Sequence, residues 1–493
     1  MAEQRNVSEN TGADSRSARP GAEGSPSKDL DWMQDLPLDI LRRHAGRGPR
    51  YTSYPPATAW HDQIGPADLH AALAHASDQA KLGNGKPLSV YAHVPFCPSQ
   101  CYFCACNVLI TPRTDLADAY LDRVDKELDL LAPHLPEVPT TQMHWGGGSP
   151  SYLTPAQMRR LLTAIGRKFH FSADAEIALE ADPRILTFEH LQELREIGFN
   201  RLSMGGQDFD PAVQEAVHRD QSFELTAGFV QQARKVGFSG VNLDFIYGLP
   251  KQTLESFART LQQVLEIRPD RIALYGYAHV PWLKPMQRRF DAESLPDPAM
   301  RFKLFQMALQ TLSGAGYEFI GMDHFALPDD ELAKARRNGT LQRNFMGYTT
   351  AAGTDLVGVG LTSISYIGDL FAQNERKLNP YYGAVDSGVL PATRGLRLTA
   401  EDQLRSDVIQ SLMCNGIVDK AAVERKHGID FDAHFAKSLQ LLQPLAADGL
   451  IDLGPDRLTV SDLGRILVRP LAMCFDAWLP AEMSGMQRFS ATV

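Results

Sequence analysis

Cysteine is scarce in this chain, at 6 in 493 residues, and basic charge is outweighed, with 49 lysines and arginines against 59 aspartates and glutamates. So few thiols exclude the disulfide framework of a small secreted domain. A formal net charge of −10 argues against a general nucleic-acid binder, which needs a basic face. It also means that an anionic substrate requires a local basic pocket, because the overall field repels it. No run approaches the roughly 18 apolar residues of a membrane-spanning helix, so no membrane partner is expected. Residues 1–30 lack aromatic residues and an apolar core of the kind a secretory signal needs, and Glu3, Glu9 and Asp14 weaken a transit-peptide reading. A disordered tail over 1–30 and a cytoplasmic location are expected. Hydrophobic residues at 44% and charged residues at 22% are ordinary for globular domains, and the length suits one large domain with smaller ones.

The middle of the chain alternates strand-like and helix-like segments. Six β-rich runs, at 88–96, 140–147, 176–182, 201–208, 240–249 and 271–280, are separated by amphipathic patterns such as DAYLDRVDKELDLLAPHL. This alternation predicts parallel βαβ units and an α/β fold, an incomplete (βα)6 TIM-like barrel, with an open doubly wound sheet as the alternative. The unusual polar and glycine features fall at the carboxyl ends of these runs: a cysteine loop, Gly146-Gly147-Gly148-Ser149, Glu180 and Asp182, Gln207 and Asp208, Asp244, then Tyr277 and His279. Barrel active sites are built there, so one site is expected on that face. From about residue 395 the pattern becomes mainly helical, with a hairpin expected around Gly454-Pro455-Asp456. The expected division is a tail at 1–30, a segment at 31–85 lying over the active site, a barrel with extension at 86–394, and a C-terminal mainly helical domain at 395–493.

Four cysteines lie within ten residues, as Cys97-Pro-Ser-Gln-Cys101-Tyr-Phe-Cys104-Ala-Cys106. Three thiolates spaced three and two residues apart can wrap one corner of a cubane cluster, and thiolates suit iron–sulfur and zinc alike. A structural zinc site draws further ligands from a second knuckle, which Cys414 and Cys474 do not form. A [4Fe–4S] cluster is therefore expected, with one iron open to a small molecule.

The C-x3-C-x2-C loop resembles that of the radical S-adenosylmethionine enzymes. The chain further resembles the oxygen-independent coproporphyrinogen III oxidase (coproporphyrinogen dehydrogenase) family in Pro49–Pro55, Tyr91–Cys97, His144–Gly148, Leu202–Gly205, Gln207–Phe209, Asp244–Pro250, Gly321–Phe325, Arg343–Phe345 and Met473–Asp476. The resemblance implies Cys97, Cys101 and Cys104 as cluster ligands, with Cys106 not ligating. It implies S-adenosylmethionine, two molecules of it, held by Tyr91, Phe103, Gly147, Gly148, Ser149, Glu180, Gln207, Arg219, Asp244, Ala278 and Ile364. Met346 stands where the family commonly has glutamine, which touches the expected second cofactor site. No catalytic side chain is implied, because a 5′-deoxyadenosyl radical generated at the cluster performs the abstraction.

The implied reaction is oxygen-independent decarboxylation of two propionates of coproporphyrinogen III to vinyls, giving protoporphyrinogen IX in haem biosynthesis. A flavodoxin- or ferredoxin-type electron donor, a separate electron acceptor and a monomeric enzyme are also implied. Arg42, Arg43, His44, Arg47 and Arg50, and likewise Lys284, Arg288 and Arg289, are candidate partners for substrate carboxylates. The alternatives are a haem-handling relative in the same superfamily and a non-catalytic iron–sulfur scaffold.

Overall fold

The computed structural model describes residues 37–479 and Phe489. The tail expected over 1–30 lies outside the described residues. One twelve-stranded sheet dominates: β1 (Leu88–Val94), β2 (Pro139–Gly147), β3 (His170–Ala181), β4 (Arg201–Gln207), β5 (Gly240–Tyr247), β6 (Arg271–Gly276), β7 (Glu318–Gly321), β8 (His324–Ala326), β9 (Asp355–Val359), β10 (Ile364–Ile367), β11 (Leu370–Asn374) and β12 (Ala392–Arg397). The order is β12-β11-β10-β9-β1-β2-β3-β4-β5-β6-β8-β7. Strands β1 to β6 are parallel in chain order, and β9 adds a seventh parallel strand beside β1, pairing Leu88 with Asp355 through Ala92 with Val359. All remaining pairings in the sheet are antiparallel. The sheet does not close, since β6 and β9 do not pair. This is the incomplete α/β barrel expected, widened by β9 and antiparallel extensions on both edges.

Five helices carry the crossovers: α1 (Leu116–Leu131), α2 (Pro155–Gly166), α3 (Phe188–Ile197), α4 (Phe223–Lys235) and α5 (Leu254–Ile267). Their starts are written locally. Thr154 and Gln157 form a reciprocal capping box on α2, and Thr253 with Ser256 does so on α5. On α5 the residues Phe257, Leu261 and Val264 recur at helical spacing and are all buried.

A parallel sheet covered on both faces usually reads as continuous apolar runs, but here only one face of the wall is apolar. Along β4, Leu202 and Met204 are buried toward the helices, while Arg201, Ser203, Gly205 and Gln207 are half-buried. Along β5, Val241, Leu243 and Phe245 are buried, and Asn242 and Asp244 are half-buried on the other face. The lumen is thus polar. Its amino end is filled by ion pairs: Arg201 with Glu176 at 2.6 Å and Glu331 at 2.9 Å, and Arg271 with Asp330 at 2.9 Å. A hairpin, Gln342–Asn344 with Gly347–Thr349, also sits there. Thr349 donates to Gln142 at 3.3 Å, and the Tyr348 ring meets His324, which in turn meets Tyr275 of β6.

Beyond β12 come helix Ala400–Asn415, shorter helices, and a three-stranded sheet of Ile417–Asp419, Ile451–Leu453 and Arg457–Val460. The hairpin expected around Gly454–Asp456 forms as Ile451–Leu453 against Arg457–Val460. Arg465 from this region donates to the carbonyls of Phe319 and Ile320 in β7.

Candidate active site

The cysteine loop leaves β1 and is zipped at its base. Phe96–Cys97 pairs with Leu109–Ile110, and Thr111 N–H donates to Cys97 O at 3.0 Å. The Gly146–Gly148 run at the end of β2 is stitched to the same stem, with Gly148 N–H donating to Val94 O and Ser149 N–H to Phe96 O, both at 2.8 Å. Glycine is needed here. Gly147 has φ +120°, and a Cβ would stand 2.7 Å from the His93 ring; at Gly148 it would stand 2.6 Å from Phe96 O. The tip is held from two further segments. Tyr102 N–H donates to Val217 O at 3.0 Å, Gln287 donates to Phe103 O at 3.2 Å, and Lys284 donates to Cys106 O at 3.1 Å.

The loop opens on a cavity of about 150 Å³ lined by Cys97, Cys101, Phe103, Cys104, Cys106, Gly148, Ser149, Glu180, Gln207, Arg219 and Asp244. Most of the expected site residues therefore converge. Tyr91, Gly147, Ala278 and Ile364 stand apart from this cavity. Tyr91 lies deeper, stacked at 6.2 Å on His144, and its hydroxyl is 3.2 Å from His93 Nδ1. Gly147 borders His93. Ala278 lines a second cavity beyond β6. Ile364 starts β10 and packs with the cluster of Trp60, Phe371 and Leu396. Met346 occupies the turn of the hairpin at the amino side of the lumen, its N–H bonded to Asn344 Oδ1 at 2.8 Å.

Two guanidiniums that sequence reasoning treated unequally face the thiols. Arg219 Nη1 is 3.7 Å and Arg184 Nη2 is 3.6 Å from Cys101 Sγ. Arg184 was missed as a site residue, although it follows Asp182 by two positions in the β3 exit. Asp182 binds Arg184 at 2.6 Å and lies 3.5 Å from Arg219. Burial raises its carboxyl pKa, but the two guanidiniums outweigh burial and hold it below the usual range. N–H donors directed at sulfur stabilise a thiolate over a thiol. Burial pushes the Cys97 thiol up to about 12, whereas hydrogen bonding from Cys106 draws Cys104 down to about 6.

Toward the lumen, Glu180 accepts from His144 at 3.2 Å. Burial disfavours the His144 cation, yet the Glu180 hydrogen bond and charge raise its pKa overall. Asp244, desolvated and bonded to Asn242 at 2.7 Å, is pushed up to about 7. Gln207 sits at φ +63° at a register shift in β4, which turns its side chain onto the cavity wall. Asp208, one of the polar strand-end residues, turns away instead. It is buried and accepts from Gln252 at 2.6 Å and Thr260 at 2.7 Å, anchoring the start of α5.

The donor set fits an iron–sulfur cluster. Four thiols line one cavity, with N–H donors on the sulfurs of Cys101 and Cys104, and among the described residues no three His, Cys, Asp or Glu side chains close on a single ion. Residues 91–264 match the Radical SAM superfamily model, and residues 398–467 match the HemN C-terminal domain. The chain is 45% identical to the oxygen-independent coproporphyrinogen III oxidase of Salmonella typhimurium, over 94% of this chain and 99% of that protein. It is also 45% identical to the enzyme of that name from Pseudomonas aeruginosa, over 92% and 98%. The solved coproporphyrinogen III oxidase of Escherichia coli, described as a radical SAM enzyme, superposes with TM-score 0.85 at 44% identity, covering 90% of this chain and 99% of that one.

Proposed function

The chain belongs to the oxygen-independent coproporphyrinogen III oxidase family of radical S-adenosylmethionine enzymes, and from that premise we propose which of its residues do what. It is an oxidoreductase of haem biosynthesis that converts coproporphyrinogen III to protoporphyrinogen IX without oxygen. Each of two propionates loses a hydrogen atom from the carbon joined to the ring, β to the carboxylate, then carbon dioxide and one electron, leaving a vinyl. The cluster and S-adenosylmethionine supply the hydrogen-abstracting oxidant, and the chemistry is theirs.

The observation that carries the assignment is the shared cavity, in which Cys97, Cys101 and Cys104 face Glu180, Gln207, Arg219 and Asp244. Cys97, Cys101 and Cys104 hold the cluster, with Arg184 and Arg219 favouring the thiolate at Cys101. Glu180, oriented by His144, and Asp244 accept hydrogen bonds from ribose hydroxyls. Gly147, Gly148 and Ser149 give the methionyl end close backbone approach, and Phe103 packs on the cofactor. Tyr91, Ala278 and Ile364 lie outside that cavity, in three separate places.

The donor is an acidic electron-transfer protein of the flavodoxin or ferredoxin type. The loop that reaches Cys106 and Phe103 presents exposed Trp282 and Leu283 beside Lys284, Arg288 and Arg289. This is a small basic and apolar surface on a chain of net charge −10. The segment before the barrel and the C-terminal region meet: Tyr51 donates to Asp476 at 2.9 Å and Tyr54 accepts from Ala477 N–H at 3.0 Å. A cytoplasmic monomer is part of the same proposal; among the described residues no helix is long and apolar enough to cross a membrane.

The test is anaerobic. Reconstituted protein receives S-adenosylmethionine, a reductant, coproporphyrinogen III and an acceptor-containing extract. Protoporphyrinogen with matching 5′-deoxyadenosine is the expected outcome. Deoxyadenosine without decarboxylation would favour a haem-handling role, and neither product with an intact cluster a scaffold.

A further inference from the structure

A second cavity, of about 200 Å³, adjoins the carboxyl ends of β5 and β6. Its lining holds four guanidiniums, those of Arg47, Arg50, Arg301 and Arg469, and one carboxylate, Asp323. These residues come from the segment before β1, from the helix after β6, from the β7–β8 turn and from the C-terminal region. Arg50 pairs with Asp323, and Arg469 is buried and donates to the carbonyls of Gly48 and Pro49. Burial and the neighbouring Arg50 charge lower the Arg469 pKa to about 10.

Arg301 is different. Its half-buried guanidinium has no hydrogen-bond or ion-pair partner among the described residues, yet the fold makes room for it. At Gly248, φ +82°, a Cβ would stand 3.1 Å from Arg301 Nε, and at Gly276 a Cβ would stand 3.4 Å from Nη2. The strand ends are cut back to glycine where the guanidinium lies across them. Its charge faces the hydroxyls of Tyr247 and Tyr277, both buried. A half-buried guanidinium without an ion-pair partner is matched by a bidentate carboxylate.

We infer that Arg301, with Arg50 beside it, forms a carboxylate-binding site that holds a propionate of the tetrapyrrole substrate. The inference rests on the substrate assigned above. A macrocycle bearing four carboxylates meets a protein of net charge −10 and must find local positive charge. The cavity is adjacent to the reaction site. Gln287 donates to Ala278 O on the cavity wall and to Phe103 O on the cysteine loop, both at 3.2 Å, so one macrocycle can span both. The other carboxylate available on this face is the methionyl group of S-adenosylmethionine, and the experiment separates the two.

The probe is coproporphyrin III, the stable fluorescent oxidised form, with four carboxylates, set against mesoporphyrin IX, with two. Binding to cluster-loaded protein is titrated by fluorescence quenching, and S-adenosylmethionine binding is counted by equilibrium dialysis. Wild type is expected to prefer coproporphyrin III. Arg301→Gln should weaken coproporphyrin III binding about tenfold to hundredfold, the size of one charge-assisted bidentate contact, and lose the preference, with S-adenosylmethionine binding unchanged. Arg301→Lys should keep part of the preference. Unchanged porphyrin binding overturns the inference, as does a loss confined to S-adenosylmethionine. Should Arg301→Gln fail to fold, Arg301→Lys decides, because equal affinity to wild type overturns the inference. Failure of wild type to decarboxylate coproporphyrinogen III would refute the substrate assignment instead, and that is read in a separate assay.

Discussion

The two ends of the barrel use the same strands and similar side chains to opposite ends. At the amino end, Arg201, Arg271, Glu176, Asp330 and Glu331 are satisfied by one another. At the carboxyl end, Arg184 and Arg219 share Asp182 and still point at a sulfur, Asp244 is desolvated, and Arg301 makes no ion pair among the described residues, the cavity's one carboxylate, Asp323, being paired with Arg50. One end is closed electrostatically and contributes to stability; the other is left incomplete and awaits ligands. Charge content does not separate structural from functional residues here. The completeness of each charge's partner set does.

Breaking the carboxyl end at its centre has the largest expected effect. Cys101→Ser should abolish cluster assembly and turnover while leaving the far-ultraviolet circular dichroism unchanged, which iron analysis and the anaerobic assay will show. A lasting [4Fe–4S] spectrum in that variant would remove Cys101 from the ligand set.

At the amino end the effect should appear in stability alone. Asp330→Asn keeps the helix cap that Asp330 supplies to Leu332 but removes the charge facing Arg271 and Arg201. Breaking a buried pair from one side costs about 3 kcal/mol, read as a lower unfolding midpoint with turnover per folded molecule intact. A turnover defect with an unchanged midpoint would contradict the contrast between the ends.

Asp244 sharpens the contrast through pH. Its folded pKa, about 7, lies above the unfolded value, so the folded state favours the protonated form. That contribution is complete below the unfolded pKa of about 4 and is lost as pH rises to 7, with a slope of at most about 1.4 kcal/mol per pH unit. Asp244→Asn should flatten the stability profile of the protein between those values, measured by denaturant unfolding at a series of pH values. The smallest expected effect is at the surface. Arg289→Ala should slow cluster reduction by an acidic flavodoxin a few-fold at low salt, without changing reduction by dithionite.

The parts legible in the sequence were contiguous ones. The cysteine loop, the glycine run and the six strand–helix repeats each depend on neighbours within a few residues, and the barrel and most of the cofactor cavity followed from them. Strand β9 was not anticipated, because Asp355–Val359 is short, contains Gly358, and becomes a parallel strand only by pairing with β1 some 260 residues earlier. The first half of β3, His170 to Ala175, lacks an apolar pattern because only Ala175 of it is buried, and its pairing with β2 passes through a register shift at Thr140 to Gln142. Among the basic candidates, Arg43 and His44 are occupied by Asp448, each at 2.6 Å, whereas Arg50 reaches the second cavity. Arg301 carried no local signal at all, because its meaning depends on two glycines on other elements and on a cavity closed by chain segments more than 400 residues apart.

The open seam between β6 and β9, each of which pairs with an antiparallel neighbour instead, has a consequence for how such an enzyme can diversify. In a closed barrel of few strands the bore is set by strand number and is filled by side chains. Here the floor is a separate hairpin, Gln342–Thr349, laid against Gln142 and His324 from outside the repeat. The pieces that shape the bore are therefore not the pieces that hold the cysteines. Changes in that hairpin, at Met346 for instance, can remodel what the lumen admits while the strands and the metal-binding loop stay intact.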